Sequence, residues 1–166
     1  MVTETVGDLL TIDVDIIVHQ VNCLGIMGAG VARQVREKYP EVNKAYCDLC
    51  QSVDSPSSLL GSIQVIPTLD GKKRICNMFG QVSVGRKQCM TEYDAVANAL
   101  NQIRFYMEKN NLRTVAFPKY IGCGLAGGNW NTMKDLIEAT FEDEAEMKCL
   151  IVSWEKEVGA VYSVNV

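Results

Sequence analysis

The sequence predicts an α/β fold, a central mixed, mostly parallel sheet covered by helices on both faces in three α/β/α layers. Three observations carry this. Short β-branched apolar runs alternate with longer segments of helical periodicity along the chain. Two glycine-rich turns, Met27-Gly28-Ala29-Gly30-Val31 and Ile121-Gly122-Cys123-Gly124-Leu125, each follow such a run. A hairpin signal at Asp70-Gly71 joins two of the runs.

The elements follow in order. Residues 2–6 and 16–21 read as strands. Residues 29–38 read as a helix stopped by Tyr39-Pro40, and Pro40 suits the first turn of a second helix that runs to about Val53. Asp54-Ser55-Pro56-Ser57-Ser58 reads as a surface loop. Residues 62–67 and 74–79 are the two strands of the hairpin. Thr91-Glu92-Tyr93-Asp94 resembles a capping box with Asp in place of Glu. The helix after it places Tyr93, Val96, Leu100, Ile103 and Met107 on one stripe. Residues 114–117 form a strand, and Trp130, Met133, Leu136, Ile137 and Phe141 mark another amphipathic helix. Residues 149–154 form a last buried strand, and the tail 155–166 reads equally as an edge strand or a mobile end.

Composition narrows the function classes. The 166 residues, 48% apolar and 22% charged, suit one soluble domain spanning 1–166 and a monomer. No apolar run reaches the roughly 20 residues of a membrane span. The first eight residues carry no secretory-signal pattern, so a cytoplasmic location is the expectation. A net charge of −4 disfavours nucleic acid as a partner. An acidic chain that holds an anion must use backbone amides and helix N-termini. Seven cysteines, an odd number, fit a reduced protein. Cys47 and Cys50 are the one close pair, inside a helical run, where neither a redox motif nor a zinc site is expected. No metal and no cofactor is implied. The acidic stretch 142–146 reads as a solvated helix end.

The glycine turns point to the site. Glycine lets backbone N–H groups approach an anion closely, and two such turns can clamp one diphosphate from both sides. Ligands of such sheets bind beyond the carboxyl ends of strands. The segments 19–31, 79–91 and 119–129 leave such ends and line one cleft in this reading.

Four stretches make the pattern specific: Gly7-Asp8-Leu9-Leu10; Val18-His19-Gln20-Val21-Asn22-Cys23-Leu24-Gly25; Met27-Gly28-Ala29-Gly30-Val31-Ala32; and Phe117-Pro118-Lys119-Tyr120-Ile121-Gly122-Cys123-Gly124-Leu125. In order and spacing they resemble a macrodomain. The likeness is to the small stand-alone branch with the terminal ADP-ribose–protein glycohydrolase and the yeast ADP-ribose-1″-phosphate phosphatase.

The resemblance implies ADP-ribose, or an ADP-ribosylated substrate, as ligand. Asp8, beside Leu9, would accept a hydrogen bond from the adenine amino group. Met27, Gly28, Ala29, Gly30 and Val31 would hold one phosphate. Ile121, Gly122, Cys123, Gly124 and Leu125 would cover the other phosphate and the distal ribose. Trp154 either stacks on adenine or is an ordinary boundary tryptophan. Cys123 fits a small loop residue better than a nucleophile, because no acid or histidine adjoins it. His19 takes part in turnover or is a satisfied core histidine; the residues leave both open. Asn22 offers a donor and an acceptor near the distal ribose. Asn22 and His19 are therefore the candidate catalytic residues.

Two departures matter. Gln81 stands where the glycohydrolases carry a lysine nucleophile, and Ala126 where they carry an aspartate. Glutamine forms no Schiff-base-type adduct and alanine moves no proton, so Gln81 becomes a pocket residue. Arg86 and Lys87 read as a solvated basic loop. Lys119-Tyr120 adds one residue to the second motif. The expectation is a hydrolase that removes a group from the distal ribose without a lysine nucleophile: a protein ester, a 1″-phosphate or an acyl ester. A non-catalytic ADP-ribose reader is the alternative, and a binder of another nucleotide or of single-stranded nucleic acid is the third reading, disfavoured by the charge.

Overall fold

In the computed structural model, which describes residues 1–85 and 88–154, strands alternate with helices along the chain. They run β1 (Val2–Val6), β2 (Ile16–Val21), α1 (Gly30–Lys38), α2 (Pro40–Ser52), β3 (Ile63–Pro67), β4 (Arg74–Phe79), α3 (Tyr93–Lys109), β5 (Thr114–Pro118), α4 (Trp130–Phe141) and β6 (Lys148–Ser153). The six strands form one sheet in the order β1-β6-β5-β2-β4-β3. Every neighbouring pair is parallel except β3 with β4, which the turn at Asp70-Gly71 joins as a hairpin. Arg86, Lys87 and the tail 155–166 lie outside the described residues.

The period-two alternation of the strands builds the two cores. Ile17 and Val21 of β2 pack with Ile75 and Phe79 of β4 under Val31, Val35, Val42 and Tyr46 of α1 and α2. Ile16 and Val18 pack with Cys76 and Met78 under Val96, Leu100, Ile103 and Met107 of α3 and Met133, Ile137 and Phe141 of α4. Helices therefore cover both faces, and the central strands read as continuous apolar runs because neither face meets water.

Helix ends follow local chemistry. Pro40 lacks an N–H and takes the first position of α2. Asn129 Oδ1 caps α4 by accepting from Thr132 N at 3.1 Å. The stretch read as a loop at 54–58 is partly ordered instead. Residues Pro56–Leu59 make a 3₁₀ turn, because Leu59 is drawn into the core. The capping box at Thr91 does not form: Glu92 is the N-cap of α3 and has no side-chain cap bond. The Thr91 hydroxyl is used elsewhere, at the site.

Asp15 ties the strand starts together. Its Oδ2 accepts from Arg113 N at 2.7 Å and Thr114 N at 3.0 Å, and its carbonyl accepts from Arg74 N at 3.0 Å. This aligns the amino ends of β2, β4 and β5, so their carboxyl ends also finish together.

Candidate functional site

Beyond those carboxyl ends lies a cavity of about 520 Å³. Its wall comes from the end of β2 (His19, Gln20, Val21, Asn22), from Ile26 and the Gly28-to-Arg33 turn and helix start, from Gln81 and Val84, and from Pro118, Ile121, Gly122, Gly124, Leu125 and Ala126. The volume suits a small organic ligand, for which pockets of roughly 300–1,000 Å³ are usual. The three predicted segments do meet in one cleft.

The first turn is built to present donors. Ala29 is extended at φ −150°, and Gly30 takes φ 57°, the left-handed region in which glycine carries no Cβ penalty. No side chain caps α1. Arg33 N donates to Ala29 O at 3.2 Å, so the N–H groups ahead of it have no helical acceptor and face the cavity end of the dipole. Arg33 is the one charged side chain in the wall among the described residues, and it pairs on the surface with Glu37 at 3.0 Å.

The second turn is held by a side-chain clamp. Gln20 Nε2 donates to Gln81 Oε1 and to Thr91 Oγ1, both at 2.9 Å, and Thr91 Oγ1 donates to Gly122 O at 2.7 Å. Ala126 O accepts from Met90 N at 2.7 Å and Thr91 N at 3.2 Å. These bonds stitch the loop after β4 to the loop after β5. Gly122 has φ 73°, and a Cβ there would fall 2.8 Å from Gln20 Oε1 and 3.1 Å from Met133 Cε. Tyr120, in the same motif, takes φ 67°, and its ring packs edge-on against Trp130 at 5.6 Å.

Asn22 is more committed than its sequence position suggests. Its Oδ1 accepts from Leu24 N at 2.9 Å, Ile26 N at 3.3 Å and the Tyr46 hydroxyl at 2.8 Å. Its Nδ2 donates to Ile26 O at 2.8 Å. The acceptor end is therefore spent on shaping the turn, and one N–H is left over. The expectation of a free acceptor at Asn22 is corrected: the amide holds the loop that carries Ile26.

His19 is 1% exposed and forms part of the wall. Burial pulls its pKa down to about 4, against a smaller upward pull from its bond to Asn77. It is neutral at pH 7. Its Nε2 lies 2.6 Å from Asn77 Oδ1, and its Nδ1 is buried with no partner. The group that satisfies Nε2 is thus a side-chain carbonyl.

The remaining candidates divide. Gly28, Ala29, Gly30, Val31, Gln81, Ile121, Gly122, Gly124 and Leu125 join His19 and Asn22 in the wall. Asp8, Leu9, Met27, Cys123 and Trp154 do not. Asp8 Oδ1 accepts from Leu10 N at 3.0 Å in a local turn, and Leu9 and Met27 are core residues. Burial, with Cys89 nearby, pushes the Cys123 thiol up to about 12, far from thiolate chemistry. Trp154 is half-buried just past β6. No lysine or carboxylate lines the cavity among the described residues.

Sequence reasoning missed Gln20, Thr91, Arg33 and Asn77. A polar side chain inside an apolar strand was the available signal for Gln20 and Asn77, and a basic residue one turn into a glycine-led helix for Arg33.

A family model described as Macro domain matches residues 18–137. A DNA ADP-ribosyl glycohydrolase of Mycobacterium tuberculosis (strain ATCC 25618 / H37Rv) is 31% identical over 153 residues, 91% of this chain and 42% of that protein. This chain thus spans about two fifths of that relative's length. An ADP-ribose 1″-phosphate phosphatase of Saccharomyces cerevisiae (strain YJM789) is 32% identical over 105 residues, 60% of this chain and 57% of that one. Among solved structures, the macrodomain of Mycobacterium tuberculosis DarG superposes with a TM-score of 0.79 at 28% identity, covering 92% of this chain and 97% of that one. With most of its length matched by the family model and its glycine turns meeting at one cavity, the chain belongs to the macro domain family.

Proposed function

We propose that this chain binds ADP-ribose in the cavity and hydrolyses a group joined to the distal ribose. One observation carries the reading. A neutral-to-basic cavity is flanked by two glycine turns, one of them the uncapped N-terminus of α1. Free N–H groups at a helix start bind phosphate oxygens, and the Gln20–Thr91 clamp holds the second turn opposite them. Relatives named for DNA ADP-ribosyl glycohydrolase and ADP-ribose 1″-phosphate phosphatase activity support the substrate class.

The wall limits the chemistry. Gln81 and Ala126, which the resemblance sets where the glycohydrolases carry a nucleophile and an acid, both line the cavity. Neutral His19 has no proton to give as an imidazolium at pH 7. Turnover in this reading rests on orientation of water and on electrostatics from backbone N–H groups, with the substrate's phosphate as the available base. One observation favours the second reading, an ADP-ribose reader: no acid, lysine or cysteine thiolate stands in the wall among the described residues. A DNA or protein ADP-ribosyl adduct and a 1″-phosphate are the substrates to compare.

Calorimetric titration with ADP-ribose, ADP and AMP tests the binding step. The expected result is binding that weakens strongly from ADP-ribose to AMP. Absence of ADP-ribose binding would sink both readings. Release of product from the three substrate classes then separates hydrolase from reader.

A further inference from the structure

Three polar side chains cross the sheet in register on the face covered by α1 and α2. His19 of β2 pairs with Asn77 of β4, and Asn77 pairs with Gln64 of β3. Asn77 is fully buried. Their hydrogen bonds run in one direction. Gln64 Nε2 donates to Ala45 O of α2 at 3.0 Å, Asn77 Nδ2 donates to Gln64 Oε1 at 3.1 Å, and His19 Nε2 faces Asn77 Oδ1 at 2.6 Å.

The direction is forced from its far end. Ala45 O is a backbone carbonyl and only accepts, so Gln64 turns its NH₂ there and its carbonyl toward Asn77. Asn77 must then donate to Gln64 and present its own carbonyl to His19. A carbonyl facing Nε2 requires the proton to be on Nε2. Nδ1 is left as a bare lone pair, buried and unpartnered, on a residue of the cavity wall.

We infer that Gln64 and Asn77 are positioning residues that lock His19 as its Nε2–H tautomer, so that Nδ1 is a built acceptor site for an O–H donor in the cavity. The donor is a bound water or a hydroxyl of the ligand; the role of Nδ1 toward ligand rests on the reading that the cavity holds ADP-ribose. His19 acts here by accepting; moving its proton to Nδ1 would set the bare Nε2 lone pair against the Asn77 carbonyl 2.6 Å away, two facing acceptors, and would take the acceptor away from the cavity.

His19 is the only histidine of the chain, so its ring ¹⁵N resonances need no assignment. Long-range ¹H–¹⁵N spectra of the intact protein at pH 7 are expected to show a single neutral tautomer, protonated at Nε2 and bare at Nδ1. Protonation at Nδ1 in the wild type overturns the inference without any variant. Gln64→Leu, at a half-buried position, frees Asn77 to rotate. It is expected to mix the two tautomers and to weaken ADP-ribose about tenfold. An unchanged tautomer in Gln64→Leu overturns the relay. A shift of the Nδ1 resonance on saturation with ADP-ribose marks a ligand hydroxyl as donor; an Nδ1 signal already hydrogen-bonded in the free protein and unmoved by ligand marks water. If ADP-ribose does not bind the wild type, the ligand reading fails, while the tautomer measurement still decides the relay.

Discussion

Acidification singles out His19. The folded ring has its pKa held at about 4 by burial, whereas in the unfolded chain the group titrates near its ordinary 6.5. The sign follows from linkage. A depressed folded pKa means that, as pH falls through 6.5, the unfolded chain takes up a proton that the folded protein refuses. The stability contribution is complete above 6.5 and is lost progressively down to about 4. One proton is worth about 1.36 kcal/mol per pH unit, and the rounded ends of the two titrations leave roughly 2 kcal/mol lost between pH 7 and 4.5. Urea unfolding across that range, in the wild type and in His19→Leu, isolates the effect. The variant carries a constant penalty, because it leaves Asn77 Oδ1 unpaired, but lacks the pH-dependent loss. The two stability curves should therefore converge by roughly 2 kcal/mol toward pH 4.5. Parallel curves would refute the claim that His19 stays neutral in the fold.

Other perturbations follow from the same contacts. Gly122→Ala puts a Cβ at φ 73° and 2.8 Å from Gln20 Oε1. It should cost about 1–3 kcal/mol in a thermal melt and lower ADP-ribose affinity by calorimetry. Asp15→Asn loses a charged acceptor for Arg113 N and Thr114 N. Burial raises the Asp15 pKa, but those two bonds, with Thr114 Oγ1 and the Arg74 charge, outweigh it and the net shift is down. The variant should be about 1–2 kcal/mol less stable at pH 7, and the gap should close as pH falls below 3.8 through the folded pKa. Arg33→Gln removes the one charged side chain of the described wall. It should weaken ADP-ribose a few-fold and flatten the salt dependence of binding, with little change in melting temperature.

Strands and helices were legible because their periods are local properties. The stripe Val96, Leu100, Ile103 and Met107 reads directly as the buried face of α3. The two glycine turns were legible for a related reason: Gly30 and Gly122 occupy backbone angles that other residues adopt only with strain. What failed was any assignment that depended on a distant partner. Thr91 looked like a cap because its neighbours in sequence allow one, yet Gln20 and Gly122 compete for its hydroxyl and win. Asn22 looked free because its residue type does not say that the chain turns back on it: Leu24 N and Ile26 N reach its carbonyl only in the folded turn, and Tyr46, 24 residues on, joins them. The partner of His19 lies 58 residues away, in a strand whose register only the folded sheet defines.

How a chain of net charge −4 would hold a diphosphate, on the proposed reading, is then a question of distance. The acidic residues Glu142, Asp143 and Glu146 gather near Met1, Arg113 and Lys148, at the amino ends of β1, β5 and β6. The cavity lies past the carboxyl ends. β5 has 5 residues, so at roughly 3.3 Å per residue the two ends stand about 16 Å apart. That is about two Debye lengths at physiological ionic strength, where the length is about 8 Å. Repulsion from the acidic end is therefore largely screened at the cavity, while the α1 amides and Arg33 would meet the proposed ligand at contact. Lowering the salt to about 0.01 M stretches the Debye length to about 30 Å and brings both ends of the sheet into play. The sheet thus keeps these acidic side chains, already partly offset by Arg113, Lys148 and the Met1 amino group, away from the dipoles that face the cavity.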